Sequence, residues 1–226
     1  MAALEKEHLD FLRNVLPFWS RLDETQQKQL EDSVLLKTFE SGESLHHGDE
    51  DCSGLFVIKT GRVRVFILSE TGKEITLYRL LEREVCLFSA SCIFKNINFE
   101  IFVEAEAKTT ALLIPTLLFE KLSQTSLPVA DYVSQLMASH LSEVMWVMEQ
   151  VLFTSFDKRL ASFLLEQANI EDSDKLTITQ ETIANHLGSA REVVTRMLKY
   201  FHDEGMVELF RGGLQITDRK KLQNLA

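Results

Sequence analysis

Three residues between Thr177 and Tyr200 leave little choice of local fold. They are Ala184, Gly188 and Val194, four and six residues apart. A small residue lets two helices cross closely. A glycine takes the positive φ that a sharp turn between them needs, and an apolar residue further on buries the second helix. Ile183, Leu187 and Met197 fill the remaining inward positions, and Thr179 is placed to cap the first helix. An ordinary pair of antiparallel helices satisfies parts of this pattern. The separations together specify a helix-turn-helix.

The second helix is expected to start at Ser189 and to carry Arg191, Glu192, Thr195, Arg196 and Lys199 on its outer face. In a helix-turn-helix that face reaches base edges in the major groove. Arginine donates two hydrogen bonds to guanine O6 and N7, and a carboxylate accepts from the cytosine N4 amine. An acid facing phosphates is otherwise unfavourable, so Glu192 points to base reading. The alternative is an Arg–Glu pair on a solvated face. Downstream, Met206-Val-Glu-Leu-Phe and Leu214-Gln-Ile-Thr flank Arg211-Gly212-Gly213. This reads as a hairpin wing, with Arg211 placed to touch phosphate.

A net charge of −10 is unusual for a chain that meets phosphates. Its distribution resolves the conflict, because nine of the ten net negative charges fall in residues 1–154. The stretch Arg191–Lys199 carries three bases and one acid. That asymmetry fits a basic reading head on an acidic sensor.

The first two thirds have a different texture. Residues 4–36 read as two short amphipathic helices, with Leu9, Leu12, Val15 and Leu16 at helical spacing and Asp23 as a cap. From Phe39 to Pro115, short β-branched and aromatic runs alternate with glycine turns at Gly42, Gly48, Gly54, Gly61 and Gly72. A helix without interior Gly or Pro follows, from about Val129 to Leu152. Val133, Met137, His140, Val144, Val147 and Val151 form one stripe on it. Leu141, Met145, Met148 and Leu152 form a second. One stripe can cover the chain's own β-domain while the other meets a second copy; a single buried helix is the alternative.

With these elements in place, the chain resembles the CRP/FNR family of transcription regulators over nearly its whole length. Gly188-Ser-Ala-Arg-Glu-Val-Val-Thr-Arg196 is similar to the family's recognition helix. Phe39–Asp49 and Leu55–Val65 are similar to the opening strands of its cyclic-nucleotide-binding-like β-roll. The resemblance implies an α+β architecture: a double-stranded, jelly-roll-like β-roll over residues 1–125, a dimerisation helix over 126–153, and a winged helix-turn-helix over 154–226. It implies a homodimer on pseudo-palindromic double-stranded DNA with TGTGA-like half-sites. Arg191, Glu192 and Arg196 would contact bases. RNA polymerase is a candidate partner. Phe153–Arg159 is the expected hinge through which an effector biases the placement of the two reading heads.

The family's cyclic-AMP binders grip the ribose with a glutamate and the cyclic phosphate with an Arg-Ser pair. Here Ala90 falls at the glutamate and Phe99-Glu100 at the Arg-Ser pair, so cyclic AMP is disfavoured. An iron–sulfur cluster is disfavoured too, because residues 1–51 hold no cysteine. The effector is left open. Cys86, Ser89, Ser91 and Cys92 lie in the segment that replaces the nucleotide cassette, and Met137 and His140 face it from the long helix. A thiol redox switch, haem or another metal, and a small apolar ligand beside buried cysteines are the competing readings. His46-His47 reads as a surface pair.

Three cysteines and no signal sequence argue against a disulfide framework and for a cytoplasmic protein. No apolar run reaches the roughly 18 residues of a membrane span. No thiol placed for catalysis, phosphate-binding glycine loop or Ser/His/Asp order suggests an enzyme. A β-roll that senses a ligand or redox state and acts through a protein partner is the remaining alternative to a regulator.

Overall fold

The computed structural model describes residues 4–47, 54–87 and 100–226. The chain divides into two compact units. The first comprises residues 1–67 and 77–144, the second residues 68–76 and 145–226.

The first unit opens with α1 (Lys6–Val15), a 3-10 turn (Trp19–Arg21) and α2 (Glu24–Ser33). Asp23 starts α2 through a capping box: its carboxylate accepts from the Gln26 amide, and the Gln26 side chain accepts from the Asp23 amide. Among the described residues eight strands follow: β1 (Leu35–Phe39), β2 (Ser44–His47), β3 (Gly54–Thr60), β4 (Val63–Leu68), β5 (Glu74–Leu80), β6 (Val85–Cys86), β7 (Phe102–Ala105) and β8 (Thr109–Pro115). They form two four-stranded sheets, ordered β1-β8-β3-β6 and β2-β7-β4-β5, with antiparallel pairing. Two helices close the series, α3 (Thr116–Thr125) and the 27-residue α4 (Leu127–Phe153).

Strand β3 explains how the layers join. Leu55 and Val57 enter a cluster with Leu12, Leu16, Leu30 and Phe119 of the helices. Phe56 and Ile58 enter a second cluster with Val63, Val65 and Val103 of the other sheet. Both faces of the strand are buried, so residues 55–58 form a continuous apolar run rather than an alternating one. Strand β8 behaves the same way, with Leu112 and Ile114 on one side and Ala111 and Leu113 on the other.

The second unit holds the tail of α4, then α5 (Phe156–Ile170), β9 (Lys175–Leu176), α6 (Gln180–Leu187), α7 (Arg191–Asp203), β10 (Val207–Phe210), β11 (Gly213–Ile216) and α8 (Arg219–Leu225). Strands β9, β10 and β11 pair in the order β10-β11-β9. One core joins Leu160 and Leu164 of α5, Ile183 and Leu187 of α6, Val194, Leu198 and Phe201 of α7, and Leu214 and Leu222. The break between α4 and α5 is confined to Thr154 and Ser155, inside the expected hinge.

Two expectations need correction. His46 is not a surface residue: it is 3% exposed, while its neighbour His47 is open. The register of β2 against β7 shifts between Ser44 and His46, so strict alternation fails there and His46 turns inward. The recognition helix begins two residues later than expected. Ser189 belongs to the turn, where its amide donates to the Ala184 carbonyl, and Ala190 is the N-cap. Helix α3 gave no signal in the sequence reading, because its ten residues sit between a strand and a stronger helix.

Candidate nucleic-acid interface and effector region

In α6 and α7 each residue of the expected motif has its physical role. Thr179 caps α6 by accepting from the Thr182 amide at 3.0 Å. Gly188 ends α6 with φ 62° and ψ 38°, a left-handed conformation that side-chain-bearing residues adopt at a cost. Ala184 is buried beneath the crossing. The inward face of α7 carries Val194, Leu198 and Phe201 into the core, with Met197 packed at its margin. This leaves Arg191, Glu192, Thr195, Arg196, Lys199 and Tyr200 exposed.

Among the described residues, Arg191, Glu192, Arg196 and Lys199 enter no ion pair. The solvated Arg–Glu pair that competed with base reading is therefore not formed. Glu192 lies in the first turn of α7, where the helix dipole favours an acid. Thr195 differs from its neighbours, because its hydroxyl lies 2.6 Å from Gln180 Oε1 and 2.9 Å from the Arg191 carbonyl oxygen.

The wing forms as a hairpin in which Phe210 pairs with Gly213 and Arg211-Gly212 makes the turn. Gly213 is dictated by space. A Cβ there would lie 2.2 Å from the Leu176 carbonyl oxygen and 2.7 Å from the Phe210 ring. Lys175 Nζ sits 5.3 Å from the centre of that ring, and Arg211 is exposed at the tip of the turn.

Arg159 on α5, the last residue of the expected hinge, makes a bond to the motif that its sequence did not announce. Its guanidinium donates to the Leu187 carbonyl at the end of α6, beside the turn of the motif. Burial lowers its pKa. A cation there complements the helix C-terminus. Nothing in spacing marks it, since a lone arginine in an amphipathic helix reads as surface.

The first unit brings together part of the expected effector set. His140 of α4 is 4% exposed and stacks on Tyr78 of β5, with ring centres 4.5 Å apart and planes 8° from parallel. Its Nδ1 lies 2.8 Å from a carboxylate oxygen of Glu143, one turn along α4. Cys86 is fully buried opposite Phe56 in the between-sheet cluster. Burial pushes the Tyr78 phenol far above its ordinary value, and the charges of Cys86 and Glu143 push the same way. Met137 packs in the other cluster, with Leu136 and Tyr132. The structure therefore assembles Cys86 and His140 around Tyr78 and sets Met137 apart. Ser89, Ser91 and Cys92 lie outside the described residues, as do Ala90 and Phe99. Among the described residues no group of three or more His, Cys, Asp or Glu is close enough to hold a metal ion. Tyr78 and Glu143 were not anticipated, since Leu77 and Tyr78 are buried side by side in β5 and no simple alternation singles out either.

The same sheet carries a buried ionic cluster. Glu106 lies 2.5 Å from Arg62 Nε and 3.0 Å from Arg79 Nε, and the Arg79 and Glu106 side chains are nearly enclosed. Arg64 sits over the Phe66 ring at 4.0 Å.

Comparison with known proteins now adds identity. The model of the Crp-like helix-turn-helix domain matches residues 158–225, and that of the cyclic nucleotide-binding domain matches residues 36–126. A solved structure from Eubacterium rectale, described as a transcriptional regulator of the crp/fnr family, is 48% identical. It covers 94% of this chain, is itself covered to 98%, and superposes with a TM-score of 0.92. This chain belongs to the CRP/FNR family of transcription regulators. Electron transport regulator A of Shewanella oneidensis is 26% identical over 224 residues, 93% of this chain and 86% of its own. The cAMP-activated global transcriptional regulator CRP of Pasteurella multocida is 24% identical over 176 residues, 75% and 83% of the two chains. This CRP/FNR regulator thus carries a DNA-binding helix-turn-helix and a cyclic-nucleotide-binding-type domain, and its relatives are regulators rather than enzymes. No described helix is long and apolar enough to cross a membrane.

Proposed function

We propose that this regulator works as a cytoplasmic homodimer that reads a pseudo-palindromic operator with TGTGA-like half-sites. Arg191, Glu192, Thr195 and Arg196 contact bases. Thr179, Ser189, Lys199 and Arg211 hold the phosphates. The observation that carries this reading is the exposed face of α7, where four charged groups stand without ion-pair partners among the described residues, above an apolar inner face. The dimer reading rests on α4. His140 and Val144 face inward, whereas Leu141, Met145, Trp146, Met148 and Leu152 are between 48% and 65% exposed along its other side. That apolar stripe has the spacing of a coiled-coil seam.

The effector acts on the group of Tyr78, His140 and Glu143. Cys86 fits better as a small buried hydrophobe than as an exposed thiol switch. Cyclic AMP is not the effector on this reading, because Ala90 and Phe99-Glu100 replace its ribose and phosphate partners. A metal ion held by three or more His, Cys, Asp or Glu would have to draw on residues outside the described set.

The test is selection of duplexes from a random-sequence pool, followed by fluorescence anisotropy on the enriched duplex and a scrambled one. Salt-dependent binding with a palindromic preference supports the reading. Equal affinity for both duplexes overturns it and leaves a partner-binding β-roll. Cyclic AMP titrated by calorimetry should give no heat of binding, and micromolar affinity would overturn its exclusion.

A further inference from the structure

We propose that Gln180, which lies outside the recognition helix, fixes what Thr195 offers to DNA, and that the group offered is its methyl. The inference rests on the reading of α7 as the recognition helix and deepens it. Thr195 is exposed on the same face as Arg191 and Arg196. Its hydroxyl faces two acceptors of its own chain, Gln180 Oε1 at 2.6 Å and the Arg191 carbonyl oxygen at 2.9 Å. A hydroxyl has one proton to donate. Held within the chain, that proton is withheld from acceptors on a base edge, such as guanine O6 and N7 or thymine O4.

What Thr195 retains for the groove is an apolar methyl group. Its complement among the major-groove edges is the C5-methyl of thymine. Gln180 is well placed to impose this choice. It is the first residue of α6, directly after the Thr179 cap, so its backbone is anchored by the helix start. With its oxygen engaged by Thr195, its amide nitrogen keeps two N–H donors. Gln180 is thus a positioning residue, and Thr195 is a reader of thymine by contact rather than by hydrogen bond.

The test uses the full chain and the duplex obtained by selection. Each thymine is replaced in turn by deoxyuridine, which lacks only the C5-methyl. One thymine per half-site should show a loss of about three- to fivefold in wild-type affinity on this replacement, the size expected for one buried methyl. Thr195→Val keeps the methyl and should keep that ratio. Thr195→Ser keeps the hydroxyl and should bind both duplexes equally. Gln180→Ala leaves the Arg191 carbonyl as the remaining acceptor, loosens the hold on the Thr195 side chain and should lower the thymine-to-uracil ratio below its wild-type value, whereas a merely structural role would weaken every duplex alike and leave the ratio intact. Thermal unfolding of each variant checks that the domain is folded. Sequence-specific binding that ignores every thymine methyl overturns this proposal alone, as does a ratio that survives in Thr195→Ser or is lost in Thr195→Val. Absence of any sequence preference overturns the DNA-reading assignment itself.

Discussion

The two units treat their charged groups in opposite ways. In the first, the carboxylate of Glu106 is enclosed with the guanidiniums of Arg62 and Arg79, and His140 is buried against Tyr78 with Glu143 at its edge. In the second, Arg191, Glu192, Arg196 and Lys199 are exposed and enter no ion pair among the described residues. A buried charge is bound to its partners, because removing one leaves the other desolvated and uncompensated. An exposed charge can be removed with little effect on folding. Substitutions in the first unit should therefore register as stability, and those on α7 as binding.

The strongest test of that contrast is Glu106→Ala. It strips the shared carboxylate from two enclosed arginines and should destabilise the first unit by roughly 3–5 kcal/mol. Urea unfolding reads this directly, and a change below about 1 kcal/mol would show the cluster to be well hydrated. Arg159→Ala is the exception that sharpens the rule, being a half-buried cation inside the DNA-binding unit. Loss of its bond to the Leu187 carbonyl should cost about 1.5–3 kcal/mol of stability. DNA affinity should then fall along with the unfolding midpoint.

Arg196→Ala should do the reverse. It is expected to lose about 1–3 kcal/mol of binding per half-site, with stability unchanged within roughly 0.5 kcal/mol. Equal losses on specific and scrambled duplexes would reassign Arg196 from bases to phosphates.

The remaining effect, confined to alkaline solution, is a pH dependence. Burial raises the Tyr78 phenol far above 10.0, and burial pushes Tyr132 up to about 12. The unfolded chain gives up these protons near pH 10, while the folded chain keeps them. The stabilisation is therefore complete below about pH 10 and is lost as pH rises further. The slope is at most about 1.4 kcal/mol per pH unit for each tyrosine. Tyr78→Phe should flatten the alkaline limb of the stability curve measured by denaturant unfolding, and an unchanged slope would deny the phenol that role.

The recognition motif was legible because its determinants are local. Ala184, Gly188 and Val194 act within a dozen residues, and steric need at each position admits few side chains. The β-roll was legible as a texture of short strands and glycine turns, but not in its details. The inward turn of His46 depends on a bulge against β7, some 56 residues downstream, which no local alternation encodes. Tyr78 and His140 meet across 62 residues, so each looks ordinary in its own segment. Arg159 escaped notice for the same reason, since its partner is a backbone carbonyl that carries no residue-type signal. Gln180 was one residue beyond the expected set, and its role shows only once the Thr195 hydroxyl is located.

The exposed stripe of α4 has a consequence for how such a regulator responds to its own supply. On the dimer reading, Leu141, Met145 and Leu152 are sheltered only when two chains meet. When chains are scarce, the number of paired reading heads falls with the square of their concentration, by mass action. Halving synthesis would then cut the operator-competent population about fourfold in that regime. A threshold in protein abundance would thus be written into one face of a single helix.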